Sequence, residues 1–260
     1  MLLAIDIGNT NITIGIFKIE GGRTQAGPLK IWRLATDKTK TGDEYGTKIL
    51  DLFHYALIEY ADIKAVAVAS VVPALNFSFE EMSRIYFRRK AFFVSVREKL
   101  PITILYDNPE EVGADRIANA VAASALFGAP AIVIDFGTAT TFDCINKKGE
   151  YIGGVIVPGP MIAAESLAKR TAKLPMIDII RPPKVIGRST IQSMQSGIYF
   201  GYVGLIREIL RKVKNEMHSS PHVIATGGLA NLITTEIKEV KAIVNELTLE
   251  GIRIIWEKAL

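Results

Sequence analysis

The sequence predicts an α/β protein in which one domain plan occurs twice. Two similar segments lie about half a chain apart, at 2–17 and 132–145, and each runs from a strand through an Asp-x-Gly turn into a second strand. Uncharged strand segments such as 65–72 alternate with segments of helical spacing such as 49–57, a pattern typical of α/β folds. Because an internal repeat decides the architecture, we expect two domains, 1–128 and 129–260, each with the order βββαβαβ in a mixed sheet.

The remaining elements of the first half follow from apolar spacing and turn residues. They are a strand at 30–35, a helix starting near 41, a strand at 65–72, a helix at 73–88, a strand at 91–96 and a helix after 113 that ends near 128. In the second half we expect a strand at 151–159, an exposed excursion at 166–188, a helix at 190–217, a strand at 222–226 and a last helix at 247–260 that closes the second domain. Gly153 and Gly154 indicate close approach, either of a ligand or of a packed helix.

Composition narrows the class of protein. The 260 residues are 49% hydrophobic and 22% charged, with a net charge of +4, which is ordinary for a soluble globular chain. The basic residues form no stripe with interleaved aromatics, so we expect no nucleic-acid partner. The uncharged segment 117–134 is cut by Gly128 and Pro130, so we expect no membrane span. The single cysteine, Cys144, permits no intrachain disulfide and indicates a cytoplasmic protein with a buried, inert thiol.

The two turns are the first candidate functional sites. The first carries Asp6, Gly8, Asn9, Thr10, Asn11 and Thr13, and the second repeats it with Asp135, Gly137, Thr138 and Thr140. Turns favour these residue types for local reasons, but a second copy favours function. Backbone amides in such a turn can cradle a phosphate.

A third candidate is the helix start at Gly113-Ala-Asp-Arg116. A carboxylate in the first helical turn is stabilised by the helix dipole, so we expect Asp115 to stay ionised at neutral pH. Asp115 and Arg116 point in different directions on a helix and can serve one ligand without neutralising each other. The alternative is that Asp115 only caps the helix.

The paired Asp-x-Gly turns, with a late Thr226-Gly-Gly228 turn, resemble the actin-like ATPase and sugar kinase superfamily. The resemblance implies duplicated ribonuclease H-like domains with ATP in a ligand cleft between them. The finer resemblance is to the type III pantothenate kinase family, and it covers essentially the whole chain. It rests on ordered motifs: Asp6-Ile-Gly-Asn-Thr-Asn11, Gly113-Ala-Asp-Arg116, Asp135-Phe-Gly-Thr-Ala-Thr-Thr141, Gly153-Gly-Val-Ile-Val-Pro-Gly159, Thr171-Ala-Lys-Leu-Pro175, Ser189-Thr190 with Ser196-Gly197, and Thr226-Gly-Gly228.

That resemblance implies a role for each matching residue. The ATP phosphate loop would be Asp6, Ile7, Gly8, Asn9, Thr10, Asn11, Ile12 and Thr13, with Asp6 at the Mg²⁺–phosphate end. Pantothenate would be held by Tyr106, Gly113, Ala114, Asp115, Arg116 and Thr190. Asp115 would take the proton from the pantothenate hydroxyl. Asp135 would bind an activating K⁺ or NH₄⁺ ion, Thr138 would touch ATP, and Thr190 would come from the neighbouring subunit of a homodimer.

The resemblance therefore implies ATP-dependent phosphorylation of pantothenate to 4'-phosphopantothenate, the first step of coenzyme A biosynthesis. The residue types suit phosphoryl transfer, which depends on positioning and charge neutralisation. Two alternatives stay open at the sequence level. One is another small-molecule kinase of the same superfamily, and the other is a non-catalytic ATP-binding regulatory protein.

Overall fold

The structure is a computed structural model that describes residues 1–260. The chain divides into two compact units, 1–122 with 246–260, and 123–245. The elements up to the middle of the chain are β1 (Leu2–Ile7), β2 (Asn11–Phe17), β3 (Ile19–Glu20), β4 (Arg23–Thr24), β5 (Lys30–Ala35), α1 (Gly42–Tyr55), β6 (Ala65–Ser70), α2 (Pro73–Phe87), β7 (Ala91–Phe93) and α3 (Ala114–Phe127). The elements after it are β8 (Ala131–Phe136), β9 (Ala139–Ile145), β10 (Tyr151–Pro158), α4 (Pro160–Arg170), α5 (Thr190–Glu216), β11 (His222–Thr226), α6 (Ala230–Ile233), β12 (Ala242–Ile243) and α7 (Leu247–Ala259).

The two units contain the same sheet. In the first, the strand order is β5-β2-β1-β6-β7, and in the second it is β10-β9-β8-β11-β12. In each sheet the first three strands along the chain pair antiparallel; they are β1, β2 and β5 in the first sheet and β8, β9 and β10 in the second. On the other side of β1 and β8, the last two strands of each sheet, β6 and β7 or β11 and β12, pair parallel. The duplicated mixed α/β architecture predicted from the repeated hairpins is confirmed.

Local signals set several element boundaries. Thr41 caps α1 with a capping box, in which Glu44 bonds back to the Thr41 amide, and this arrangement satisfies two amides at the helix start. Pro73 is the first residue of α2, where its missing N–H costs nothing. Gly128, with φ of +81°, ends α3.

One glycine of the pair in β10 lies at an irregularity of the strand itself. The register between β9 and β10 shifts between Tyr151 and Gly153, and Gly153 has φ of +117°. A β-bulge therefore accounts for Gly153, since other residues rarely adopt that conformation. Cys144 lies in β9 and is buried, as expected.

The apolar core of each unit lies against its own sheet. Ile5, Ile14, Phe53 and Phe79 belong to the first core. Ile134, Phe142, Tyr199 and Ile206 belong to the second. No helix is long and apolar enough to cross a membrane.

The last helix is not where the sequence suggested. We expected α7 to close the second domain, but it packs on β1, β2, β4 and β6 of the first unit. A short amphipathic helix carries no local signal for which sheet it covers, so the expected division at residue 128 missed this return of the chain.

The excursion expected at 166–188 is partly correct. Its first residues belong to α4, and 171–189 form no helix or strand. Ile177 is nevertheless buried in the second core. The segment is fixed to α5, since Ser196 donates to the carbonyl of Val185 and Gln195 donates to that of Asp178.

Candidate active site

The first turn, between β1 and β2, is a closed and fixed loop. The Gly8 N–H donates to the carbonyl of Asn11 at 3.0 Å, so this amide is used inside the turn. A Cβ on Gly8 would lie 3.0 Å from the same oxygen, which explains the glycine without any ligand. Asn9, Thr10 and Asn11 are exposed, so the turn presents their polar side chains outward.

Thr36 holds this turn from the strand next to it. Its hydroxyl donates to the carbonyl of Gly8 at 2.6 Å, and its amide donates to the carbonyl of Thr10 at 3.0 Å. Thr36 follows β5, which pairs with β2. The conformation of 8–11 is therefore set by two strands, which preorganises it for a ligand.

Two of the predicted motifs meet at one edge of the first sheet. Because β1 and β6 are parallel, Ile7 and Ser70 end them side by side, and the Val71 amide donates to the carbonyl of Ile7 at 3.1 Å. A Cβ on Gly113 would lie 3.3 Å from the Val71 side chain. Gly113 therefore lies against the residue that is bonded to β1, and the start of α3 is brought to the Asp6 turn.

The side chain of Asp115 is half-buried at the start of α3. Its Oδ1 accepts a hydrogen bond from the Arg116 amide at 2.7 Å. Desolvation nevertheless raises the pKa of Asp115 above its ordinary value, against the lowering effect of that amide and of the Arg116 charge. We expected the helix dipole to dominate, but burial prevails because it removes the water that stabilises the charged form. Because Asp115 accepts this hydrogen bond from an N–H in the first turn of α3, it also caps the helix in part.

The side chain of Arg116 is buried, with 7% of its surface exposed. A guanidinium is almost never buried unless it is paired. It therefore supplies a fixed positive charge beside Asp115, at the edge where the Asp6 turn also lies. A carboxylate or phosphate could accept two parallel hydrogen bonds from such a group.

The second turn, between β8 and β9, is built from the same residue types. Asp135 is the next-to-last residue of β8 and lies opposite Thr141 on one side and Thr226 on the other. Thr138 is exposed, whereas Thr140 is fully buried and its hydroxyl has no hydrogen-bond partner.

Two glycines allow neighbouring backbone to pack closely against the second turn. A Cβ on Gly159 would lie 2.3 Å from the carbonyl oxygen of Thr138, and the Gly159 amide donates to that oxygen. A Cβ on Gly227 would lie 2.7 Å from Oδ1 of Asp135 and from backbone atoms of Phe136. Gly228, by contrast, has open space around it. The late Thr226-Gly-Gly228 turn thus lies directly against the second Asp-x-Gly turn.

The available metal ligands are oxygen atoms. No group of three or more His, Cys, Asp or Glu side chains could hold a metal ion. The second turn does bring together the Asp135 carboxylate, close to Gly137, and the carbonyls of Gly137 and Thr138 beside Gly159. Such hard oxygen donors fit alkali and alkaline-earth cations.

Several predicted site residues have limited side-chain access. The side chains of Ile7 and Ile12 are fully buried in the first core and that of Ala114 is buried too, so these residues can offer a ligand only backbone atoms. Asp6 and Thr13 are half-buried and pair across β1 and β2.

Tyr106 and Thr190 belong to other segments of the chain. Tyr106 is half-buried in the segment between β7 and α3. Thr190 is the exposed first residue of α5, directly after the capping residue Ser189. Sequence reasoning also missed Thr36 and Val71, whose contacts depend on strand pairing and leave no local pattern.

The fold and the turns together define the class of protein. Two five-stranded sheets of one topology, each with an Asp-x-Gly turn after its first strand, are the architecture of the actin-like ATPase and sugar kinase superfamily. A solved structure of this fold is the activator of the 2-hydroxyisocaproyl-CoA dehydratase from Clostridium difficile with bound ADPNP. It aligns with a TM-score of 0.54 at 12% identity, covering 99% of this chain and 93% of that one.

Sequence comparison identifies the family within that class. The family model for type III pantothenate kinase matches residues 2–212. The type III pantothenate kinase of Endomicrobium trichonymphae is 49% identical over 260 residues, covering 100% of both chains. The enzyme of the same name from Geobacter sulfurreducens is 50% identical over 258 residues, covering 99% of both. This chain belongs to the type III pantothenate kinase family, and it is a kinase.

Proposed function

We propose that this kinase transfers the γ-phosphoryl group of ATP to the hydroxyl of pantothenate. The product is 4'-phosphopantothenate, and the reaction is the first step of coenzyme A biosynthesis. The observation that carries the proposal is the meeting of Gly113–Arg116 with the Asp6 turn through Val71. A candidate base, a fixed cation and a candidate phosphate turn share one sheet edge, as phosphoryl transfer requires.

Asp115 is the general base in this proposal. A carboxylate of ordinary pKa, about 3.9, is a weak base toward an alcohol. Desolvation raises the pKa of Asp115, so its carboxylate accepts a proton more readily, which favours general-base catalysis. The proton of the pantothenate hydroxyl goes to Asp115 as the hydroxyl oxygen attacks the γ-phosphorus and ADP leaves.

The remaining first-unit residues bind the two substrates. Asp6 through Thr13 form the phosphate loop, in which the exposed Asn9 and Thr10 donate from their side chains. Arg116 pairs with the pantothenate carboxylate or with the transferring group. Gly113, Ala114 and Tyr106 line the remainder of the pantothenate site.

The cations are held by oxygen ligands. Mg²⁺ would lie at the phosphates near Asp6, and a K⁺ or NH₄⁺ ion would be held at Asp135, close to the carbonyls of Gly137 and Thr138. Bound there, the cations neutralise phosphate charge. Thr138, exposed on the same turn, contacts ATP.

We further propose that the chain is cytoplasmic and forms a homodimer in which Thr190 reaches the pantothenate site of the partner subunit. Support comes from exposed apolar side chains that recur along residues 152–191 of the second unit. They are Ile152, Ile156, Met161, Ile162, Leu167, Met176, Ile180, Val185, Ile186 and Ile191. Exposed apolar residues at this density mark protein contacts, and Thr190 is adjacent to the last of them in sequence.

The direct test is ADP release by the purified protein with ATP, Mg²⁺ and pantothenate, run in potassium and again in sodium. We expect turnover that requires pantothenate and is faster in potassium. Turnover with a different hydroxyl compound but not with pantothenate would assign another small-molecule kinase. ATP binding with no turnover on any hydroxyl compound would contradict the kinase proposal.

A further inference from the structure

We propose that Thr248 and Gly251 of α7 are positioning residues that fix the direction in which α3 presents Asp115 to the substrate. The inference rests on the proposed function of Asp115. It also gives a role to the last helix, which the catalytic proposal does not use. Its basis is a pair of close contacts between α7 and the second turn of α3.

The first contact is a hydrogen bond between the two helices. The hydroxyl of Thr248 donates to Oδ1 of Asn119 at 2.8 Å. Asn119 is 1% exposed, so little water can replace this bond, and a buried amide left without its partner is unfavourable. Asn119 lies four residues after Asp115, and residues so spaced lie on one face of a helix, one turn apart.

The second contact is a close approach of backbones. A Cβ on Gly251 would lie 1.9 Å from the carbonyl oxygen of Ala118 and 2.4 Å from its carbonyl carbon. No side chain fits there unless one of the helices moves. Ala118 lies three residues after Asp115, so α7 touches the turn of α3 that directly follows the candidate base.

The other side of α7 is itself held firmly. Arg253 pairs with Glu250 at 2.7 Å and with Glu257 at 3.1 Å, and the first of these pairs is almost fully buried. Glu250 also accepts from the amide of Gly27 at 2.5 Å, and Arg253 donates to the hydroxyl of Thr24 at 2.8 Å. These bonds attach α7 to the segment that follows β2.

The same helix also contacts the hairpin that carries the phosphate turn. A Cβ on Gly15, in β2, would lie 2.8 Å from a methyl group of Leu249. Leu249 lies between Thr248 and Gly251 in sequence. Helix α7 therefore touches both β2 and α3. It fixes the β1–β2 hairpin, which carries the candidate phosphate turn, relative to α3, which carries Asp115.

The test is a set of variants of the full chain. Thr248→Val keeps the shape of the side chain but removes the donor to Asn119, and Thr248→Ser keeps the donor. We expect Thr248→Val to lower kcat by between about 10-fold and 100-fold, the scale of a misplaced reacting group. The Kd for ATP, measured by calorimetry, should change less than twofold, and Thr248→Ser should restore kcat. Gly251→Ala should lower kcat further if the variant folds.

Ser83→Ala is the matched control. Ser83 is fully buried in the same unit, and its hydroxyl donates to the carbonyl of Arg89 at 2.8 Å. Arg89 precedes β7 and donates to the carbonyl of Ile63, which precedes β6. This bond therefore lies at the amino-terminal ends of these parallel strands, whereas the Asp6 turn follows the carboxyl-terminal end of β1. We expect Ser83→Ala to lower Tm as Thr248→Val does but to leave kcat unchanged.

Asp115→Asn, assayed in parallel, separates this inference from the proposed function. Loss of turnover in Asp115→Asn with a normal kcat in Thr248→Val would overturn the positioning role alone. Retained turnover in Asp115→Asn would overturn the proposed role of Asp115 as the base, and with it the positioning role that rests on it. An equal fall of kcat in Ser83→Ala and Thr248→Val would show a general effect of lost stability and would also overturn the positioning role.

Discussion

The two Asp-x-Gly turns share a strand topology but differ in what lies beside them. In the first unit, Ser70 ends the parallel strand next to Ile7, and Gly113 and Asp115 follow close by. In the second unit, Gly227 occupies the comparable place against Phe136, and its missing side chain lets backbone lie against Asp135. One framework thus carries Asp115 and Arg116 near the turn in one copy and glycine backbone against the turn in the other.

This difference shows how a duplicated domain can divide one reaction. The first turn lies with a carboxylate and a guanidinium, groups of the kind that can act on reacting atoms. The second turn lies with glycines, hydroxyls and carbonyls, the groups that let a nucleotide or a cation approach closely. We therefore expect substitutions beside Asp115 in the first unit to change kcat, and substitutions at the second turn to change the nucleotide and cation responses.

The largest expected effect is that of Asp115→Asn. We expect turnover to fall at least about 100-fold, because a general base contributes that much or more, while ATP binding stays intact. Steady-state ADP release and calorimetry measure the two effects. Equal loss of both would show that Asp115 is structural.

The same variant has an expected effect on stability with a definite sign. Burial raises the pKa of Asp115 in the folded state, so stability falls as the pH rises above the pKa of the unfolded state, and the loss is complete above the folded pKa. At pH 7 the wild type carries this penalty and Asp115→Asn does not, so the variant should have the higher Tm. The gap should close below about pH 3.9, the pKa of an unfolded aspartate. A variant that is less stable at pH 7 would contradict the burial argument.

Gly227→Ala should be the most disruptive change in the second unit. Its methyl group would meet backbone of Phe136 at 2.7 Å, and φ at Gly227 is +92°. We expect a loss of about 2–4 kcal/mol in the free energy of unfolding, from strain and overpacking. Chemical denaturation measures it. Gly228→Ala is the stability control, because its methyl group meets no atom.

Asp135→Ala sharpens the comparison by targeting the cation. We expect the rate in potassium to fall to the rate in sodium, with the pantothenate KM little changed. The measurement is ADP release across a potassium titration. An unchanged potassium dependence would remove Asp135 from the cation site, and Asp6→Ala serves as the contrasting carboxylate in the first unit.

The smallest expected effect is that of removing the Thr36 hydroxyl, which holds the first turn by a hydrogen bond. Thr36→Val removes the donor to the carbonyl of Gly8, and one lost hydrogen bond lowers stability by about 1 kcal/mol. We expect the KM for ATP to rise several-fold, with recovery in Thr36→Ser. An unchanged KM in Thr36→Val would show that the turn holds its shape without this bond.

Much of the fold was predictable because its signals are local. Strand β2 follows from the alternation of Ile12, Ile14 and Ile16. The helix starts follow from the N-cap Thr41 and from Pro73, the first residue of α2. The repeat then supplied the duplication. The position of α7 was not predictable, since nothing in its amphipathic pattern distinguishes the first sheet from the second.

The sequence suggests which residues form the candidate site but not the environment of their side chains. Asp115 stands out by its place at a helix start, yet its desolvation depends on groups packed around it, so the direction of its pKa shift was missed. Thr36 and Thr248 were missed for the same reason. Each acts through a single contact with a residue distant in sequence, Gly8 and Asn119 respectively.

The most direct test of this account is the detection of phosphorylated pantothenate itself. Purified wild type and Asp115→Asn would be incubated with ATP, Mg²⁺, potassium and pantothenate, and the product identified by mass spectrometry. We predict 4'-phosphopantothenate from the wild type and almost none from the variant, with both binding ATP equally. Equal product from the two proteins would contradict the assignment of Asp115, and no product from the wild type would contradict the proposed reaction.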